Sequence, residues 1–371
     1  MTNNASDTAI GIIGLGRLGL CLALNLEKSG YSVVGVDVAP DRVVQIRSRT
    51  LSSPEPGVTE ALAKAERLAV YTELQALNQP SISTIFVVVD TPSLPDGGYD
   101  HSRIAEVITG LAALDRPEQQ RNLVINCTTM PGYCDTLEAQ LDEMGYRLVY
   151  NPEFIAQGSI MADQVQPDQV LIGTRHPEAA QAVESIYRKL CTNTPECCTM
   201  LPLSAEIAKL ATNCFLTTKI SFANAIGDLA RTAGAEPDKI LAAVGADQRI
   251  GNAYLRYGFG YGGPCFPRDN RALMHYGAQL GQELLLSSAT DKVNREHLEF
   301  QFRELQDAPE PIVFDSVTYK PGTDILEESQ QLALAEKLAR AGKQVVVREI
   351  PAVVQALQDR YGDLFTYEPA D

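Results

Sequence analysis

Short apolar runs alternate along the first half of the chain with longer stretches whose apolar residues recur at helical spacing. The runs that indicate strands are residues 10–13, 33–36, 68–71, 85–89, 123–127, 147–150 and 170–173. Strands that alternate with helices are typical of the α/β class, so this pattern predicts a doubly wound parallel sheet. Ligands of such sheets bind beyond the carboxyl ends of the strands, where functional residues are therefore expected.

A much longer helical pattern follows, with Pro202 before it, Ser204 as the predicted N-cap, Ala233 near its end and Gly234 as the stop signal. About thirty residues in a helix span about 45 Å. Apolar side chains occur nearly all round this helix, at Ile207, Leu210, Phe215, Leu216, Ile220, Phe222, Ile226 and Leu229. A helix that is apolar on all sides is buried, so the pattern predicts a spine between two domains or in a dimer interface.

The C-terminal segment has two strand-like runs, 312–314 and 345–347, and two helical stretches, 332–341 and 353–361. The predicted fold is α/β, with an N-terminal Rossmann-type doubly wound sheet, a long central helix with an all-α middle domain, and a short C-terminal α/β domain. The predicted domain boundaries are 1–200, 201–300 and 301–371.

Composition narrows the classes of partner. The 371 residues carry a net charge of −16, which argues against binding to nucleic acid or to an anionic membrane. The N-terminal segment lacks the basic and apolar regions of a signal peptide, and no apolar run is long enough to span a bilayer. Eight cysteines without a CxxC pair predict a reducing cytoplasm, and four scattered histidines argue against a metal site.

A glycine-rich turn follows the first predicted strand. Gly14 permits a tight turn, Gly16 lets backbone approach a pyrophosphate, and Gly19 lets the following helix pack on the strand. Asp37, at the end of the second strand, can accept hydrogen bonds from an adenosine ribose, which favours NAD over NADP. Arg42 can cover the adenine or ribose, or can accommodate a 2′-phosphate.

Three further strands end in polar or turn residues, at 90–92, 128–131 and 151–154. Polar turns are common at strand ends, so each segment alone is a weak signal. Because the carboxyl ends of parallel strands lie at one edge of the sheet, we expect the three segments to line a common cleft.

The loop at 249–273 contains a second dense group of glycines, at Gly258, Gly260, Gly262 and Gly263. Such a loop can expose backbone N–H groups to an anionic ligand. Cys265 follows, with Arg268 and Asp269 close behind, and a thiol beside a cation ionises more readily to the nucleophilic thiolate. A glycine-rich surface loop with a buried structural cysteine is an equally good interpretation of this segment by itself.

Lys209 and Asn213 lie four residues apart and therefore on one face of the long helix. A lysine in an apolar helix must form an ion pair, extend to solvent or take part in chemistry. An ion pair with Glu206, one turn away, is the simplest structural alternative.

Taken together, these segments resemble the UDP-glucose/GDP-mannose dehydrogenase family. The motifs that carry the resemblance are GLGRLG, TTMP where the family has STVP, NPEF, EIAKLATN, GADQRIG, GFGYGGPCFPRD and TYKPGTD, and they cover nearly the whole chain. The resemblance implies a four-electron, NAD-dependent oxidation of a nucleotide-sugar CH₂OH to a uronate, with UDP-glucose favoured as substrate. It also implies a homodimer.

The resemblance assigns roles to individual residues. Cys265 is implied to be the nucleophile that forms a thiohemiacetal and then a thioester. The other implied catalytic residues are Lys209, Asn213, Asp269, Glu153 and Thr129. Implied contacts to the cofactor come from Gly14, Gly16, Leu18, Gly19, Asp37, Arg42, Thr91 and Thr128. Implied contacts to the substrate come from Phe154, Arg249, Tyr254, Arg256, Gly262 and Lys320, with Arg249 reaching across a subunit contact.

The chain departs from the family pattern at three positions. Glu327 stands where an arginine is usual, Gln157 where a glutamate is usual, and Gln169 where an arginine is usual. These changes and the short C-terminal domain keep other interpretations open. They are a dehydrogenase for another UDP- or GDP-sugar and a catalytically weak regulatory relative. A β-hydroxyacid dehydrogenase is a further alternative, because it also has a Rossmann domain and a Lys-x-x-x-Asn helix, but it needs no thiol such as that of Cys265.

Overall fold

The computed structural model describes residues 8–370, so the first seven residues, on which the prediction about a signal peptide partly rests, lie outside the described region. The chain divides into two compact units, Met1–Lys209 and Leu210–Asp371. The three-domain division stays a prediction. Among the described residues, no helix combines the length and the apolar character needed to cross a membrane.

The first unit is built on eight strands: β1 (Ala9–Ile13), β2 (Ser32–Val36), β3 (Leu68–Tyr71), β4 (Ile82–Val87), β5 (Arg121–Ile125), β6 (Tyr146–Tyr150), β7 (Gln169–Gly173) and β8 (Glu196–Met200). Its helices are α1 (Arg17–Lys28), α2 (Pro40–Arg47), α3 (Val58–Lys64), α4 (Ser102–Ala112), α5 (Tyr133–Met144), α6 (Ile160–Val165) and α7 (Pro177–Leu190), with a 3₁₀ turn at Leu74–Leu77. The long helix α8 (Pro202–Thr232) begins in this unit and continues into the second.

The eight strands form one sheet in the order β3-β2-β1-β4-β5-β6-β7-β8. This confirms the predicted Rossmann-type α/β fold. All neighbouring pairs are parallel except β6 and β7, which are antiparallel. The helix between those two strands, α6, has six residues and spans only about 9 Å. β7 runs antiparallel to β6, and the two strands pair through Tyr150 and Gly173.

Alternate side chains of each strand enter two apolar layers, one on each face of the sheet. In β1, Ile10 and Ile12 join one layer while Ala9 and Ile13 join the other. This alternation follows from the two-residue repeat of a strand. Because both faces are covered, the inner strands are mostly apolar, as expected for a parallel sheet between helices.

The second unit continues α8 and contains α9 (Pro237–Gly245), α10 (Phe266–Gln279), α11 (Leu285–Gln306), α12 (Gln330–Arg340), α13 (Pro351–Tyr361) and a 3₁₀ turn, Gly362–Leu364. Its strands are β9 (Ile312–Phe314), β10 (Val345–Glu349) and β11 (Thr366–Pro369). They form a parallel sheet in the order β11-β10-β9. The sheet packs against α12 and α13 through a small apolar core that includes Phe314, Leu338, Val347 and Leu357.

The sequence pattern missed two strands, β8 and β11. Both are edge strands whose side chains are at most partly buried, so neither has the apolar run that identified the others. The predicted N-cap of α8 was also wrong. The helix begins at Pro202, whose fixed φ suits the first turn, and Ser204 lies inside it.

Neighbours within the single chain do not cover α8 on all sides, so its burial in a dimer interface stays a prediction. Phe215, Phe222 and Leu229 are 63%, 49% and 64% exposed. They lie seven residues apart, so they follow one another along one side of the helix. The helix α8 is thus apolar on all sides, but other residues of the same chain cover only some of them.

Candidate active site

The glycine turn between β1 and α1 has the geometry of a phosphate-binding loop. Gly14 has a φ of +92°, and a Cβ there would lie 2.2 Å from the Val88 carbonyl oxygen. A Cβ on Gly19 would lie 1.9 Å from the Gly14 carbonyl oxygen, so the helix packs on the strand as predicted. At Gly16, the N-cap of α1, a Cβ would meet no atom within 4 Å. The helix N-terminus is therefore open to a pyrophosphate.

Asp37 and Arg42 hold this loop from the end of β2. The Asp37 carboxylate accepts hydrogen bonds from the backbone N–H of Leu15 at 2.7 Å and of Ala39 at 2.9 Å. The Arg42 guanidinium donates to the Leu15 carbonyl oxygen at 3.1 Å. The two residues predicted to contact the cofactor thus also fix the backbone between Gly14 and Gly16. These residues fit NAD.

We expect Asp37→Ala to raise the Michaelis constant for NAD several-fold or more. The change removes the ribose acceptor and also frees the Leu15 N–H, so the loop loses its fixed shape. Initial rates at varied NAD concentration measure the effect. Asp41→Ala, at an exposed neighbouring carboxylate, is the control and should leave the constant unchanged. Equal activity of the unmutated protein with NADP would contradict the assignment.

The three polar strand ends come together as the sequence predicts. Thr91 donates a hydrogen bond to the Thr128 carbonyl oxygen at 2.8 Å, and Asn126 donates to the Asn151 carbonyl oxygen at 2.5 Å. Their strands, β4, β5 and β6, are adjacent in the sheet. Residues 90–92, 128–131 and 151–154 therefore line one edge.

Glu206 has a different role from the one that the sequence suggested. Its buried carboxylate accepts hydrogen bonds from the Thr129 hydroxyl at 2.8 Å, the Gly132 N–H at 2.6 Å and the Cys134 N–H at 2.9 Å. Burial raises the pKa of Glu206, and these hydrogen bonds oppose the rise. The Glu206 carboxylate binds the TTMP segment and the start of α5. Its partners are therefore these groups and not the Lys209 ammonium suggested from the sequence.

Lys209 instead faces the NPEF segment. Its ammonium donates to the Glu153 carbonyl oxygen at 2.7 Å and lies 4.4 Å from the centre of the Phe154 ring. The side chain is buried. The Lys209 side chain is therefore close enough to the Glu153 carboxylate to favour its ionised form.

Glu153 is a carboxylic acid of the first unit whose pKa is strongly shifted. Burial raises its pKa from 4.5 to about 7, opposed by hydrogen bonds from Gln164 and by the charge of Lys209. The Gln164 amide donates to both carboxylate oxygens, at 3.1 and 2.9 Å. A carboxyl group with a pKa near 7 is suited to proton transfer at neutral pH.

Cys265 is the N-cap of α10, and its side chain is exposed. The N-terminus of a helix favours a negative charge, so this position favours the thiolate. All eight cysteines lie in the described residues and are thiols, and Cys265 is the exposed one among them. The interpretation of Cys265 as a buried structural cysteine is therefore excluded.

Two more predicted residues meet beside the start of α10. Asp269 lies in its first turn, and its buried carboxylate accepts a hydrogen bond from the Asn213 amide at 2.5 Å. The Cys214 thiol donates to the Asp269 carbonyl oxygen at 3.6 Å. These contacts tie α10 to α8 within the second unit.

The glycines before Cys265 allow a close approach to the segment before α12. A Cβ on Gly262 would lie 2.3 Å from the Glu328 carbonyl oxygen, and one on Gly263 would lie 2.4 Å from the Tyr319 ring. The Gly263 N–H donates to the Glu327 carbonyl oxygen at 3.1 Å. Glu327, the unusual acid, therefore holds the loop through its backbone.

The remaining residues predicted to bind substrate are spread over the second unit. Arg249 forms an ion pair with Asp247 at 2.7 Å, Arg256 is exposed, and Lys320 is half-buried. Tyr254 has a φ of +61° and contacts the Phe266 ring edge-on. Their roles in binding stay predictions.

The other two departures from the family pattern are at glutamines with polar contacts. Gln157 accepts a hydrogen bond from the Arg17 guanidinium at 3.0 Å, next to the phosphate-binding loop. Gln169 accepts from the Cys198 thiol at 4.0 Å.

Leu18, which was also predicted to contact the cofactor, is partly buried and packs against the core.

His101 was missed by the sequence analysis. Its Nε2 accepts a hydrogen bond from the Met130 N–H at 3.1 Å, and its ring stacks on Tyr133 at 3.8 Å. Burial lowers the pKa of His101 from 6.5 to about 4, opposed by Asp100. The neutral ring therefore supports the TTMP segment at physiological pH, a role that no local sequence signal indicates.

One group of potential metal ligands occurs in residues 8–370. Glu138, Asp142 and His176 bring their ligand atoms within 4.8 Å of one another. A 2.9 Å hydrogen bond between His176 and Glu138 accounts for the grouping, and the absence of a metal stays a prediction.

Comparisons with known proteins identify the family of this chain. The family model of the UDP-glucose/GDP-mannose dehydrogenase NAD binding domain matches residues 8–191, and that of the central domain matches residues 203–296. The UDP-glucose 6-dehydrogenase of Pseudomonas aeruginosa is 31% identical over 353 residues, which cover 90% of this chain and 77% of that protein.

Two solved structures are also similar. A UDP-glucose dehydrogenase from Pyrobaculum islandicum is 31% identical with a TM-score of 0.86, over 99% of this chain and 88% of that one. A UDP-D-ManNAc dehydrogenase from Pyrococcus horikoshii has a TM-score of 0.78 at 24% identity, over 92% and 83% of the two chains, and shares the fold. On these matches, the chain belongs to the UDP-glucose/GDP-mannose dehydrogenase family and carries its NAD-binding domain.

Proposed function

We propose that this protein oxidises the CH₂OH group of UDP-glucose to the carboxylate of UDP-glucuronate with two molecules of NAD. The observation that carries the proposal is the exposed Cys265 thiol. It lies at the N-terminus of α10, directly after the glycine-rich segment 258–263. A one-step alcohol dehydrogenase needs no thiol, whereas a two-step oxidation must retain the aldehyde. The likeness of GADQRIG and GFGYGG to the UDP-hexose branch of the family supports the choice of UDP-glucose.

Bound NAD supplies the hydride acceptor for each of the two oxidations. After the first, the Cys265 thiolate adds to the aldehyde carbon and forms a thiohemiacetal. Loss of the second hydride from that carbon leaves a thioester. Water then attacks the thioester carbon, the C–S bond breaks, and the carboxylate and the Cys265 thiol are released. The balance is one alcohol, two NAD⁺ and one water, giving one carboxylate, two NADH and three protons.

The surrounding groups have assigned roles in these steps. We assign to Lys209 and the Asn213 amide the stabilisation of negative charge on the reacting oxygen. Glu153 is the base that activates water for hydrolysis of the thioester, and its pKa of about 7 suits that task. Thr129 donates its hydroxyl hydrogen to Glu206, so it can act on water only as an acceptor.

A panel of UDP- and GDP-sugars, assayed for NADH, tests the proposal. We expect two NADH for each UDP-glucose consumed, with UDP-glucuronate as product. A preference for another UDP- or GDP-sugar with the same stoichiometry would change the substrate and keep the chemistry. One NADH per molecule with a free aldehyde or ketone would instead indicate a β-hydroxyacid-type dehydrogenase. No NADH from any sugar nucleotide would indicate a regulatory relative.

We also propose that the protein is a homodimer in which two copies of α8 pack together. The exposed stripe of Phe215, Phe222 and Leu229 has the seven-residue spacing that suits a second helix of the same kind, and Ala211 and Ala225 continue it. Such an arrangement agrees with the implied reach of Arg249 across a subunit contact.

We expect sedimentation at micromolar concentration to show a dimer, and Phe222→Glu to shift it towards a monomer. A charge in the middle of the stripe cannot be buried between two apolar helices without a large cost. Gln181→Glu, at an exposed position of α7, is the control and should leave the dimer intact. A monomer in the unmutated protein would contradict both the dimer and the role of Arg249.

A further inference from the structure

A chain of buried amides lies behind the Glu153 carboxylate. Gln164 of α6 donates from its side-chain nitrogen to both Glu153 oxygens. Its own oxygen accepts a hydrogen bond from the Asn25 amide of α1 at 3.1 Å. Both amide side chains are only 4% exposed, so neither relies on solvent to satisfy its polar atoms.

The direction of this chain is set at its far end. The Asn25 nitrogen also donates to the Met161 carbonyl oxygen at 3.1 Å, and a carbonyl can only accept. Asn25 must therefore present hydrogens to both Met161 and the Gln164 oxygen. The Gln164 nitrogen then has to face Glu153, and its 3.4 Å hydrogen bond to the Leu18 carbonyl oxygen requires the same orientation.

Other groups around Glu153 act in opposing directions. The Lys209 charge favours the ionised form, whereas the Asp163 carboxylate disfavours it. Two neutral groups, the Cys21 thiol and the Tyr187 hydroxyl, are close enough to interact with the Glu153 charge. A cavity of about 20 Å³, lined in part by Glu153, Gln164 and Tyr187, has room for about one water. Among the groups that favour the ionised form, Gln164 is the one that contacts both carboxylate oxygens.

We propose that Gln164 is a positioning residue that holds the Glu153 carboxylate ionised and in a fixed orientation, with Asn25 setting the direction of the Gln164 amide. The inference rests on the proposed role of Glu153 as the base for hydrolysis. Burial raises the pKa of Glu153, and the two hydrogen bonds from Gln164 lower it. Without those hydrogen bonds the pKa rises further above about 7. The base is then protonated at neutral pH, and hydrolysis of the thioester slows.

The test replaces Gln164 by methionine, which keeps its length and removes both donors. We expect the acid limb of the kcat profile to move to higher pH by about one unit or more, with the KM for UDP-glucose changed less than about twofold. Gln166→Met, at an exposed position two residues away, is the control and should leave the profile unchanged. An unchanged acid limb in Gln164→Met would overturn the proposal.

A double-mutant comparison separates positioning from a general structural effect. In a Glu153→Gln background, Gln164→Met should not lower kcat further, because the group on which it acts is already gone. A full additional loss in that background would contradict the proposal. If Gln164→Met does not fold, Asn25→Leu provides the same test, with a smaller displacement of the acid limb in the same direction.

A direct titration distinguishes this proposal from the proposed function. Carbon-13 NMR of labelled glutamate carboxyls, with the Glu153 signal assigned by its loss in Glu153→Gln, reports the Glu153 midpoint without substrate. A Glu153 midpoint that rises in Gln164→Met supports the proposal that Gln164 stabilises the ionised carboxylate, even if the protein oxidises no sugar nucleotide. The absence of oxidation would reject only the proposed reaction. An unchanged Glu153 midpoint would reject the proposal that Gln164 stabilises the ionised carboxylate, whether or not the protein oxidises sugar nucleotides.

Discussion

Cys265→Ser is expected to lower steady-state NADH production from UDP-glucose by a factor on the order of 10³ or more. Serine keeps the size and polarity of the side chain but is a far weaker acid and nucleophile. The helix N-terminus that favours a thiolate cannot ionise a hydroxyl to a comparable extent. The first hydride transfer does not formally require the thiol, so the loss falls on retention and oxidation of the aldehyde.

Stoichiometry and mass spectrometry check this expectation. Cys265→Ser with UDP-glucose and NAD should form about one NADH per protein if no covalent adduct appears, and about two if a long-lived ester accumulates, because formation of the ester has already removed both hydrides. The unmutated protein should release two NADH per sugar. Cys198→Ser, at a partly buried thiol of the first unit, is the control and should remain active. Full activity in Cys265→Ser would remove Cys265 from the reaction.

The features that the sequence predicted well depend on residues that are close along the chain. The turn from Gly14 to Gly19 and the acid at Asp37 belong to one strand–helix–strand unit, so their spacing alone constrains their geometry. The three polar strand ends could be brought together by topology alone, because parallel neighbours end at the same edge.

The features that the sequence missed depend on partners that are distant along the chain. Glu206 binds Thr129, Gly132 and Cys134, more than seventy residues earlier. The nearby Lys209 was the natural guess, because helical spacing reveals only neighbours one turn away. Gln164 and Asn25 are 139 residues apart and meet only because α6 packs against α1. No periodicity or motif encodes such a pair.

The loop before Cys265 depends on a contact of a different kind, in which backbone meets backbone. Gly262 faces the Glu328 carbonyl oxygen, and the neighbouring Gly263 N–H donates to the Glu327 carbonyl oxygen. Arg271 of α10 forms an ion pair with the Glu328 side chain. The position of Cys265 in the second unit is therefore linked to the segment that precedes α12.

Gly262→Ala should lower kcat/KM for UDP-glucose on the order of 100-fold, because a displacement of about 1 Å in a reacting group can have that effect. The new Cβ would lie 2.3 Å from the Glu328 carbonyl oxygen, and because that atom is backbone no side-chain rotation relieves the clash. The loop must move, and Cys265 moves with it. NAD binding, measured by fluorescence quenching, should persist because the phosphate-binding glycines lie in the first unit. Gly258→Ala is the matched control, since a Cβ there meets no atom within 4 Å. Equal losses of kcat/KM in the two variants would show that any added side chain disturbs the loop. The close approach to Glu328 would then not be the reason why position 262 requires glycine.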